Sequence, residues 1–520
     1  MLFRRCIGRA FASKGLGTMM TAVVSTRGRA KWFLAPIAAT RFASYASATN
    51  ETANSPDPSA SLPAKLRGSF QGLELTFLGT GAAAPSTKRN VSSIALRIGL
   101  AEHRKAASLW LFDVGEATQH QLCRSHLHMG RIERIFLTHL HGDHCFGLAG
   151  LLCGLGMNNN DNDASALVAD SDAGEEDARR GPPLIHVYGP PGLRLLVRSS
   201  LGVGKAHPRL RLCMHEIVPP SCGMLKEWYE WSKKCNGDES RSSRQQWRTW
   251  TESLNSPITC RLPPLPFEEP GSDYFFRSRA DVETDLPDPV TIGSIALKIV
   301  DDERGSVYVA PLQHSVPCFG YIVVEKVGAH RLNTETLREK YKLEAHPVFK
   351  DLKLGRRVLH PYDSNKWIEP AEVLLPPKAP RKVVILGDTC DSTLILPAAR
   401  ECQLLVHEAT LGDELSHRAR SVQHSTARMA GAFAKRVGVT GALALTHISA
   451  RYDDQESKTS KHLLAEAQQA ASGGRFTIFI AEDLQRVQVP WTQPQSNQSV
   501  ASSGAESSVH ECEAQMQAVS

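Results

Sequence analysis

The stretch Thr138-His139-Leu140-His141-Gly142-Asp143-His144 decides how this chain is interpreted, and it follows a strand-like run at residues 134–137. It places three imidazoles and one carboxylate within six residues. On an extended chain His139 and His141 point to the same side, and Gly142 permits a sharp turn that directs the last two residues to a second point. Neutral imidazole together with carboxylate favours zinc, with manganese or iron as weaker alternatives. The stretch therefore predicts a metal centre with room for two ions.

Three further strand-like runs end in residues that can bind a metal. His314 follows two predicted strands, Asp388 follows a buried run at 382–386, and His447 follows a run at 442–446. Apolar strands that end in Asp or His place polar atoms at a sheet edge, where loops converge on a site. The sequence therefore predicts two ligand sets and a bridge between them: His139, His141 and His314 for one zinc, Asp143, His144 and His447 for the other, and Asp388 as the bridge.

A further acidic residue, Asp113, lies where a predicted strand at 110–112 gives way to a helix. Its carboxylate is placed either to orient metal ligands by hydrogen bonding or to cap the helix. The sequence leaves both roles open.

The predicted centre suits the hydrolysis of a phosphodiester. A pair of zinc ions lowers the pKa of water to about 7 and stabilises the charge of an in-line displacement at phosphorus. The departing oxygen needs a proton, and the sequence offers His424, just before a predicted helix, with Glu408 at the end of another strand. A histidine oriented by a carboxylate is a common general acid. We therefore expect His424 to act as the acid and Glu408 as its orienting base.

Length and composition limit the class of protein. With 520 residues and 42% hydrophobic content the chain can bury one large core, and we expect one catalytic domain with insertions. Twelve cysteines without any C-x-x-C pair favour reduced thiols over a disulfide framework or a zinc ribbon. No apolar run approaches the ~18 to 20 residues that span a bilayer. We therefore predict an intracellular protein without stable membrane association.

The amino terminus has the composition of a targeting segment. Its first fifty residues contain eight Lys or Arg and no acidic residue, and they are rich in Ala, Ser and Thr. This predicts an organelle transit peptide at 1–50 and a linker at 51–68, with a basic nucleic-acid-binding arm as the competing interpretation. A mitochondrial address is favoured over a plastid one. Without these eight cations the net charge changes from +6 to −2, so any attraction to a polyanion depends on local patches.

At the metal stretch the chain resembles the metallo-β-lactamase superfamily, and a wider set of motifs resembles ribonuclease Z within it. These motifs are the Gly79 turn with residues 85–90, the run 113–122, the His314 segment ending Phe319-Gly320-Tyr321, Gly387-Asp388-Thr389, residues 407–410, His424-Ser425-Thr426 and the segment 446–452. The superfamily implies an α/β fold, a four-layer αββα sandwich with its metal centre at the sheet edges.

Ribonuclease Z implies a zinc endonuclease that removes the 3′ trailer of precursor tRNA. The family cleaves after the discriminator base and leaves a 3′-OH on the tRNA and a 5′-phosphate on the trailer. The resemblance also implies a homodimer, two zinc ions per subunit with manganese as an alternative, and a role for Asp143 in activating the water.

Composition and periodicity divide the chain into segments. We predict the catalytic domain at 69–490, insertions at about 158–181 and 219–289, and a disordered tail at 491–520. The resemblance adds a protruding tRNA-binding arm at about 325–380.

The resemblance assigns substrate contacts to a loop and to this arm. Lys88, Arg89 and Asn90 match a family loop near the RNA 3′ end, although the lysine is displaced by one position. In the arm the family's Gly-Pro element appears as His346-Pro347. Binding there is assigned to four basic residues: Lys350, Lys353, Arg356 and Arg357.

Two other functions fit part of the pattern. One is a metal-dependent phosphodiesterase acting on small esters, and the other is a non-catalytic RNA-binding relative. The basic arm argues against the first, and the presence of all seven ligand residues argues against the second.

Overall fold

Two large β-sheets face each other at the centre of the protein, in a computed structural model that describes residues 57–99, 107–157, 182–221, 223–228, 230, 262–279, 294–326, 331–376, 379–453 and 459–491. The strands of these ranges are β1 (Leu73–Gly79), β2 (Ser93–Ile98), β3 (Ser108–Phe112), β4 (Ile132–Phe136), β5 (Leu184–Gly189), β6 (Arg211–Val218), β7 (Glu268–Glu269), β8 (Asp273–Phe275), β9 (Leu297–Asp301), β10 (Gly305–Leu312), β11 (Cys318–Glu325), β12 (Arg331–Leu332), β13 (Val358–His360), β14 (Asp363–Ile368), β15 (Leu374–Leu375), β16 (Lys382–Leu386), β17 (Leu404–Glu408), β18 (Ala442–Thr446), β19 (Thr477–Ile480) and β20 (Arg486–Gln488).

The first sheet runs in the order β20-β1-β2-β3-β4-β5-β6-β7, with β8 also paired to β6. The second runs β19-β18-β17-β16-β11-β10-β9. In each sheet an antiparallel part adjoins a parallel part, β3 to β8 in the first and β16 to β19 in the second. Because parallel strands end at the same edge, the loops after β16, β17 and β18 open side by side, and this is where the predicted site residues lie.

Aromatic side chains fill the space between the two sheets. Phe136 of β4 stacks on Phe112 and on Tyr188, with ring centroids 5.0 Å apart in both pairs. Tyr321 of β11, fully buried, reaches across from the second sheet to 5.3 Å from the Phe136 ring, and its hydroxyl donates a hydrogen bond to the carbonyl of Leu137 at 2.6 Å. The core therefore holds the backbone that leads directly into the metal stretch.

Helices cover the outer faces of both sheets. The helices of the protein include α1 (Thr118–Arg124), α2 (Gly142–Cys145), α3 (Leu148–Met157), α4 (Leu193–Val203), α5 (Thr334–Tyr341), α6 (Phe349–Lys353), α7 (Pro370–Val373), α8 (Leu396–Ala399), α9 (Ser416–Ser421), α10 (Ala427–Val437) and α11 (Ser460–Ala470), of which α5, α6 and α7 belong to the arm described below. Helices α1, α3 and α4 contribute to the core cluster outside the first sheet, and α8, α10 and α11 pack on the second. The predicted αββα sandwich is confirmed.

Helix α10 shows how the local sequence sets a helix beside the site. The hydroxyl of Thr426 caps its start by accepting the N–H of Met429, and Gly438 ends it with a φ of +69°, a conformation that glycine adopts without strain. Small residues face its neighbour, and a Cβ at Gly431 would lie 2.3 Å from the carbonyl oxygen of Ala467 in α11. The cap fixes where the helix begins, and therefore where His424 lies two residues earlier.

Two predicted boundaries differ from the structure. The segment predicted as a linker at 51–68 carries Leu62 and Leu66, which are 3% and 0% exposed and belong to the main core. Two short 3₁₀ turns, Pro58–Ser61 and Ala64–Leu66, bring them there. The domain therefore begins before residue 69, because apolar residues four apart in a polar segment still find a buried position.

The predicted insertion at 219–289 is in part integrated into the fold. Strands β7 and β8 extend the first sheet beside β6, and Trp228 is 2% exposed in the main core. The segment predicted at 1–50, the predicted insertion at 158–181 and all but the first residue of the predicted tail at 491–520 lie outside the described residues.

Two expectations concern the chain as a whole. The cysteines in the described ranges are free thiols. Within the same ranges no helix combines the length and the apolar character that crossing a membrane requires.

The arm is a small subdomain between β11 and β16. It contains α5, α6 and α7 and two small two-stranded antiparallel sheets, β12 with β15 and β13 with β14. A separate buried cluster holds it together: Leu337, Tyr341, Leu343, Leu352, Ile368 and Val373. At its root the guanidinium of Arg381, 1% exposed, donates to both carboxylate oxygens of Glu325 at 2.6 and 2.8 Å and to two backbone carbonyls. The predicted arm is therefore an ordered element with its own core.

Candidate metal centre

The first predicted ligand set comes together at the edge where the sheets meet. His139 and His141 leave the end of β4, and His314 follows β10. Nε2 of His139 lies 3.1 Å from Nδ1 of His141, and Nε2 of His314 lies 3.3 Å from that same Nδ1. Three ring nitrogens therefore surround one point, as predicted for the first ion.

The second set lies next to the first. Oδ2 of Asp143 is 3.3 Å from Nε2 of His447 and 3.6 Å from Nε2 of His144, and these two ring nitrogens are 3.4 Å apart. Oδ2 of Asp388 is 3.5 Å from Nε2 of His144 and 3.7 Å from Nε2 of His139. Asp388 therefore reaches both sets, as a bridging ligand must.

These separations fit zinc. Four ligands at ~2.0–2.1 Å from a tetrahedral zinc ion are about 3.3–3.4 Å from one another. The N–N distances of 3.1 to 3.4 Å observed between the imidazoles have this spacing. Several acceptor atoms converge on one point here, and a neutral imidazole nitrogen without its proton cannot donate to its neighbour, so the arrangement needs a cation.

Asp113 orients two of the imidazoles. Its Oδ2 accepts hydrogen bonds from Nδ1 of His144 and from the hydroxyl of Thr138, both at 2.8 Å, and its Oδ1 accepts the N–H of Thr138 at 2.7 Å. The Thr138 hydroxyl in turn lies 3.0 Å from Nδ1 of His139. Helix α1 is not capped by Asp113, since Ala117 occupies its N-cap position. Of the two roles left open for Asp113, the structure shows ligand orientation.

Two other imidazoles are held in the same manner. Nδ1 of His314 donates to the carbonyl of Gln423 at 2.9 Å. Nδ1 of His447 lies 2.8 Å from the hydroxyl of Thr410, which donates to Oε2 of Glu408 at 2.5 Å and therefore accepts from the histidine. With a proton fixed on Nδ1, each ring presents the lone pair of Nε2 towards the centre. The four Nε2 ligand atoms are thus prepared for a metal by hydrogen bonds on their far sides.

Backbone strain accompanies this orientation. Asp113 and His447 have φ values of +59° and +55°, in the left-handed region that residues with a side chain rarely adopt. Gly387, next to the bridging aspartate, has no room for a side chain, because a Cβ would lie 2.6 Å from that of Thr138. The surrounding hydrogen bonds and close packing hold these conformations.

The electrostatics of the centre favour a cation. Burial lowers the pKa of His139 well below its ordinary value, and that of His314 as well, so both rings are neutral and able to bind metal at pH 7. Burial also opposes ionisation of His144, but the carboxylates of Asp388 and Asp113 outweigh it and raise the pKa of that ring. The carboxylates therefore create a negative potential that positive charge must balance.

His424 and Glu408 form the predicted acid pair. Nδ1 of His424 lies 3.2 Å from Oε1 of Glu408, which also accepts the N–H of Thr389 at 2.6 Å. Glu408 is 1% exposed. Burial lowers the pKa of His424, but the Glu408 carboxylate raises it, with a net value of about 9. The ring therefore carries a proton at neutral pH, which is what a general acid needs.

An open cleft of about 220 Å³ gives access to the centre. Its lining includes ligands of both sets, the acid pair's histidine and several residues that the sequence analysis did not assign: Ala82, Ala83, Thr410, Leu411, Arg418, Val422, Ser449 and Arg451. Thr138 and Thr410 were also missed as orienting residues. A signal existed for both, because each threonine adjoins a strand end that carries a predicted site residue.

The loop with Lys88, Arg89 and Asn90 lies beside the cleft. Arg89 is only 8% exposed, and its guanidinium donates to the Thr80 hydroxyl and pairs with Asp453 at 3.1 Å. Lys88 Nζ donates to the Asp453 carbonyl, and the side-chain amide of Asn90 donates to the carbonyl of Glu116. The side chains thus fix the loop, and their contact with substrate stays a prediction.

The four basic residues predicted in the arm lie on its surface. Lys350 and Lys353 belong to α6. Arg356 pairs with Asp351 at 3.3 Å, and Arg357 lies over the ring of Trp367, with its Cζ 4.8 Å from the centroid. Their role in binding RNA stays a prediction.

A second cluster of possible ligands, His186, Cys213 and His215, lies on β5 and β6. The N–H of Ser272 donates to Nδ1 of His215 at 3.0 Å, so the proton of this neutral ring is on Nε2, which faces Nδ1 of His186 at 3.1 Å. The thiol of Cys213 contacts the carbonyl of Pro270. A histidine that binds metal through Nε2 donates its other N–H instead. The cluster is therefore a hydrogen-bonded network that ties the β7–β8 segment to β6.

Comparison with known proteins identifies relatives that cover about three quarters of this chain. A family model described as "Anti-Pycsar protein Apyc1" matches residues 73–171. The chain is 35% identical over 384 residues to zinc phosphodiesterase ELAC protein 1 of Mus musculus, which covers 73% of this chain and 87% of the relative. It is 31% identical over 396 residues to ribonuclease BN of Escherichia coli, covering 76% of this chain and 94% of the relative.

Among solved structures, the crystal structure of human tRNase Z, short form, matches 80% of this chain and 99% of its own, with 26% sequence identity and a TM-score of 0.46. The chain therefore belongs to the family of zinc phosphodiesterase ELAC protein 1 and ribonuclease BN, the ribonuclease Z group of metallo-β-lactamase-fold hydrolases that its motifs predicted.

Proposed function

We propose that the protein is a zinc-dependent endonuclease that removes the 3′ trailer of precursor tRNA by hydrolysis after the discriminator base. The observation that carries this proposal is the convergence of seven side chains that can bind metal, four of which line one open cleft together with His424. The relatives, a zinc phosphodiesterase and a ribonuclease, support zinc as the metal and RNA as the substrate.

Two zinc ions per subunit are proposed, with manganese as an alternative. One would be held by His139, His141 and His314, and the other by Asp143, His144 and His447, with Asp388 between them. When bound there, zinc supplies positive charge beside the phosphoryl oxygens and lowers the pKa of water. The chain's own contribution is to hold the ligands rigid, through the hydrogen bonds of Asp113 and Thr410.

Asp143 and His424 are proposed to handle the protons of the reaction. Asp143 lines the cleft, and one of its oxygens accepts the N–H of Ala83 at 2.8 Å, so its carboxylate is fixed where it can orient the attacking water and take up a proton. As the water oxygen bonds to phosphorus and the P–O3′ bond breaks, His424 donates its proton to the departing oxygen. Glu408 keeps the ring charged and oriented. The products are a tRNA with a 3′-OH and a trailer with a 5′-phosphate.

Substrate recognition is proposed to use two separate surfaces. The loop with Lys88, Arg89 and Asn90 borders the cleft and would lie near the RNA 3′ end. The exposed cations of the arm would bind the phosphates of the tRNA body. Such contacts make binding fall steeply with salt concentration.

The test is to incubate the purified protein with one precursor tRNA and to map both new ends. We expect a single cut after the discriminator base, a 3′-OH on the tRNA and a 5′-phosphate on the trailer. Hydrolysis of small phosphodiesters without cleavage of the precursor would favour an enzyme of small esters. Tight RNA binding without cleavage of either substrate, at saturating zinc, would favour a non-catalytic relative.

The location and assembly of the protein are further proposals. The acid-free, basic composition of residues 1–50 supports import into mitochondria, with plastids as the alternative. A fluorescent reporter fused to these residues should enter mitochondria, and a diffuse reporter would contradict this. Homodimerisation is proposed from the family resemblance, and light scattering of the purified protein should give twice the mass of one chain.

A further inference from the structure

Arg418 lies in the cleft but has no role in the proposed chemistry so far. It belongs to α9, its side chain is exposed, and it lines the same cleft as Asp143, Asp388 and His424. Arg451, the other arginine of the lining, donates through Nε to the hydroxyl of Ser449 at 3.2 Å.

The acidic residues near Arg418 along the chain are engaged with other cations. Asp413 pairs with Arg428 at 2.8 Å, and Glu414 lies 3.9 Å from Nε2 of His462. Within the part of the chain that the structure describes, no carboxylate forms an ion pair with the guanidinium of Arg418. A guanidinium offers five N–H donors in a planar fork that matches the oxygens of a phosphate. Its position beside the metal centre therefore indicates an anionic group of the substrate as its partner.

The course of the backbone indicates which phosphate this is. After α9 the chain turns back on itself: the N–H of Val422 donates to the carbonyl of Arg418 at 3.0 Å, and that of His424 donates to the carbonyl of Ala419 at 2.8 Å. These bonds keep Arg418 and His424 on one short, compact segment, and both side chains line the cleft. His424 is the proposed donor to the oxygen that leaves with the tRNA, so this segment borders the tRNA side of the scissile bond.

We propose that Arg418 binds the phosphate on the 5′ side of the discriminator nucleotide and so positions the tRNA end for cleavage. This inference rests on the proposed function, and it adds a contact to the RNA backbone that is independent of base identity. It acts at the cleft itself and is distinct from the contacts proposed for the arm. Small phosphodiesters lack this second phosphate, so Arg418 contributes nothing to their hydrolysis.

The experiment compares Arg418→Ala with Arg420→Ala, a matched control. Arg420 is exposed on the same helix but does not line the cleft. Arg418→Ala should lower kcat/KM for precursor tRNA on the order of 10- to 100-fold, the usual effect of losing a hydrogen bond to a charged group. Arg420→Ala should remain within about twofold of the wild type, as is usual for an exposed charge away from the site. Arg418→Lys, which keeps the charge but not the fork, should recover part of the loss.

A modified substrate identifies the phosphate. Two precursors are compared, one with a neutral methylphosphonate and one with the normal phosphate on the 5′ side of the discriminator nucleotide. Both carry a 2′-O-methyl group on the preceding nucleotide, which protects the linkage. The modification should reduce kcat/KM of the wild type by about the same factor as Arg418→Ala does. In the Arg418→Ala protein it should have no further effect. Hydrolysis of a small activated phosphodiester should be unchanged in that variant, which also shows that the variant is folded.

Three results would overturn the inference. The first is an equal loss of kcat/KM for precursor tRNA in Arg418→Ala and Arg420→Ala. The second is a reduction of kcat/KM by the methylphosphonate that is as large in Arg418→Ala as in the wild type. The third is an equal loss of small-phosphodiester hydrolysis and precursor cleavage in Arg418→Ala. Failure of the proposed function is a separate result, since the wild-type protein would then leave the unmodified precursor intact.

Discussion

The metal centre and the arm are both proposed to contact the RNA, but their charged side chains differ in burial. In the centre the charged and polar groups are buried or half-buried and have fixed partners. Asp388, for example, is 3% exposed and lies within 3.7 Å of four imidazoles. In the arm the cations are exposed, and the ion pair of Arg356 with Asp351 joins side chains that are 70% and 48% exposed. Buried groups with several partners cannot be replaced by their neighbours, whereas exposed cations can. A single substitution should therefore disable the centre but not the arm.

The largest effect is expected for Asp388→Ala, which removes the bridge between the two ligand sets. Cleavage of precursor tRNA should fall by at least roughly 10³-fold, because stabilisation of the transition-state charge is lost. Binding of the precursor in a filter assay should stay near normal, since binding depends on the distant arm. Asp363→Ala, in an exposed part of the arm, is the control for loss of a carboxylate. Full cleavage by Asp388→Ala at low zinc would contradict the two-metal centre.

The next largest effect is expected for His424→Ala, because the leaving oxygen loses its proton donor. The value of kcat should fall about 10²- to 10⁴-fold while KM changes little. His417→Ala, an exposed histidine on α9, should behave like the wild type. Steady-state kinetics on precursor tRNA measures both constants, and a rise confined to KM would show that His424 binds substrate rather than donating a proton.

Replacing the arm, residues 329–377, by a short Gly/Ser bridge should have a smaller and selective effect. Several phosphate contacts are lost together, so cleavage of precursor tRNA at subsaturating concentration and physiological salt should fall about 10²-fold. Hydrolysis of a small activated phosphodiester should persist, because it needs only the metal centre. Equal rates of precursor cleavage with and without the arm would show that the arm is not the tRNA-binding element, and the reading as an enzyme of small esters would gain support.

The smallest effect is expected for Tyr321→Phe, which keeps the ring between the sheets but removes the hydrogen bond to Leu137. A buried carbonyl left without its donor destabilises the fold by about 1–3 kcal/mol. Urea denaturation should show this loss, whereas Tyr362→Phe, at an exposed position in the arm, should leave the midpoint unchanged. Unchanged stability of Tyr321→Phe would mean that water or another donor replaces the hydroxyl.

The residues of the centre were predictable because each is marked by the sequence directly before it. A histidine or aspartate directly after an apolar strand reveals its position from its immediate neighbours, as His314, Asp388 and His447 show. The structure brings all seven predicted ligands together, along with Glu408 and His424. What placed them correctly was the expectation that apolar strands ending in Asp or His bring polar atoms to a sheet edge, together with the family resemblance.

What could not be predicted depends on contacts between distant segments. The burial of Arg89 requires Asp453, which lies far along the chain, and the orientation of His447 passes through Thr410 to Glu408. The burial of Leu62 and Leu66 likewise depends on the finished core, and the segment around them resembles a linker in composition. The sequence shows which of these residues are apolar, polar or charged, but it does not show which distant residue each of them contacts.

The root of the arm has a consequence for how such enzymes diversify. Strands β11 and β16 are direct antiparallel neighbours, with Val324 opposite Lys382, so the chain leaves and re-enters the sheet at adjacent points held by Arg381 and Glu325. The ends of any segment placed there are already joined by the sheet, and doubling its length costs only about 0.6 kcal/mol of closure entropy. Segments of different size and specificity can therefore be inserted at this position without moving the residues of the metal centre.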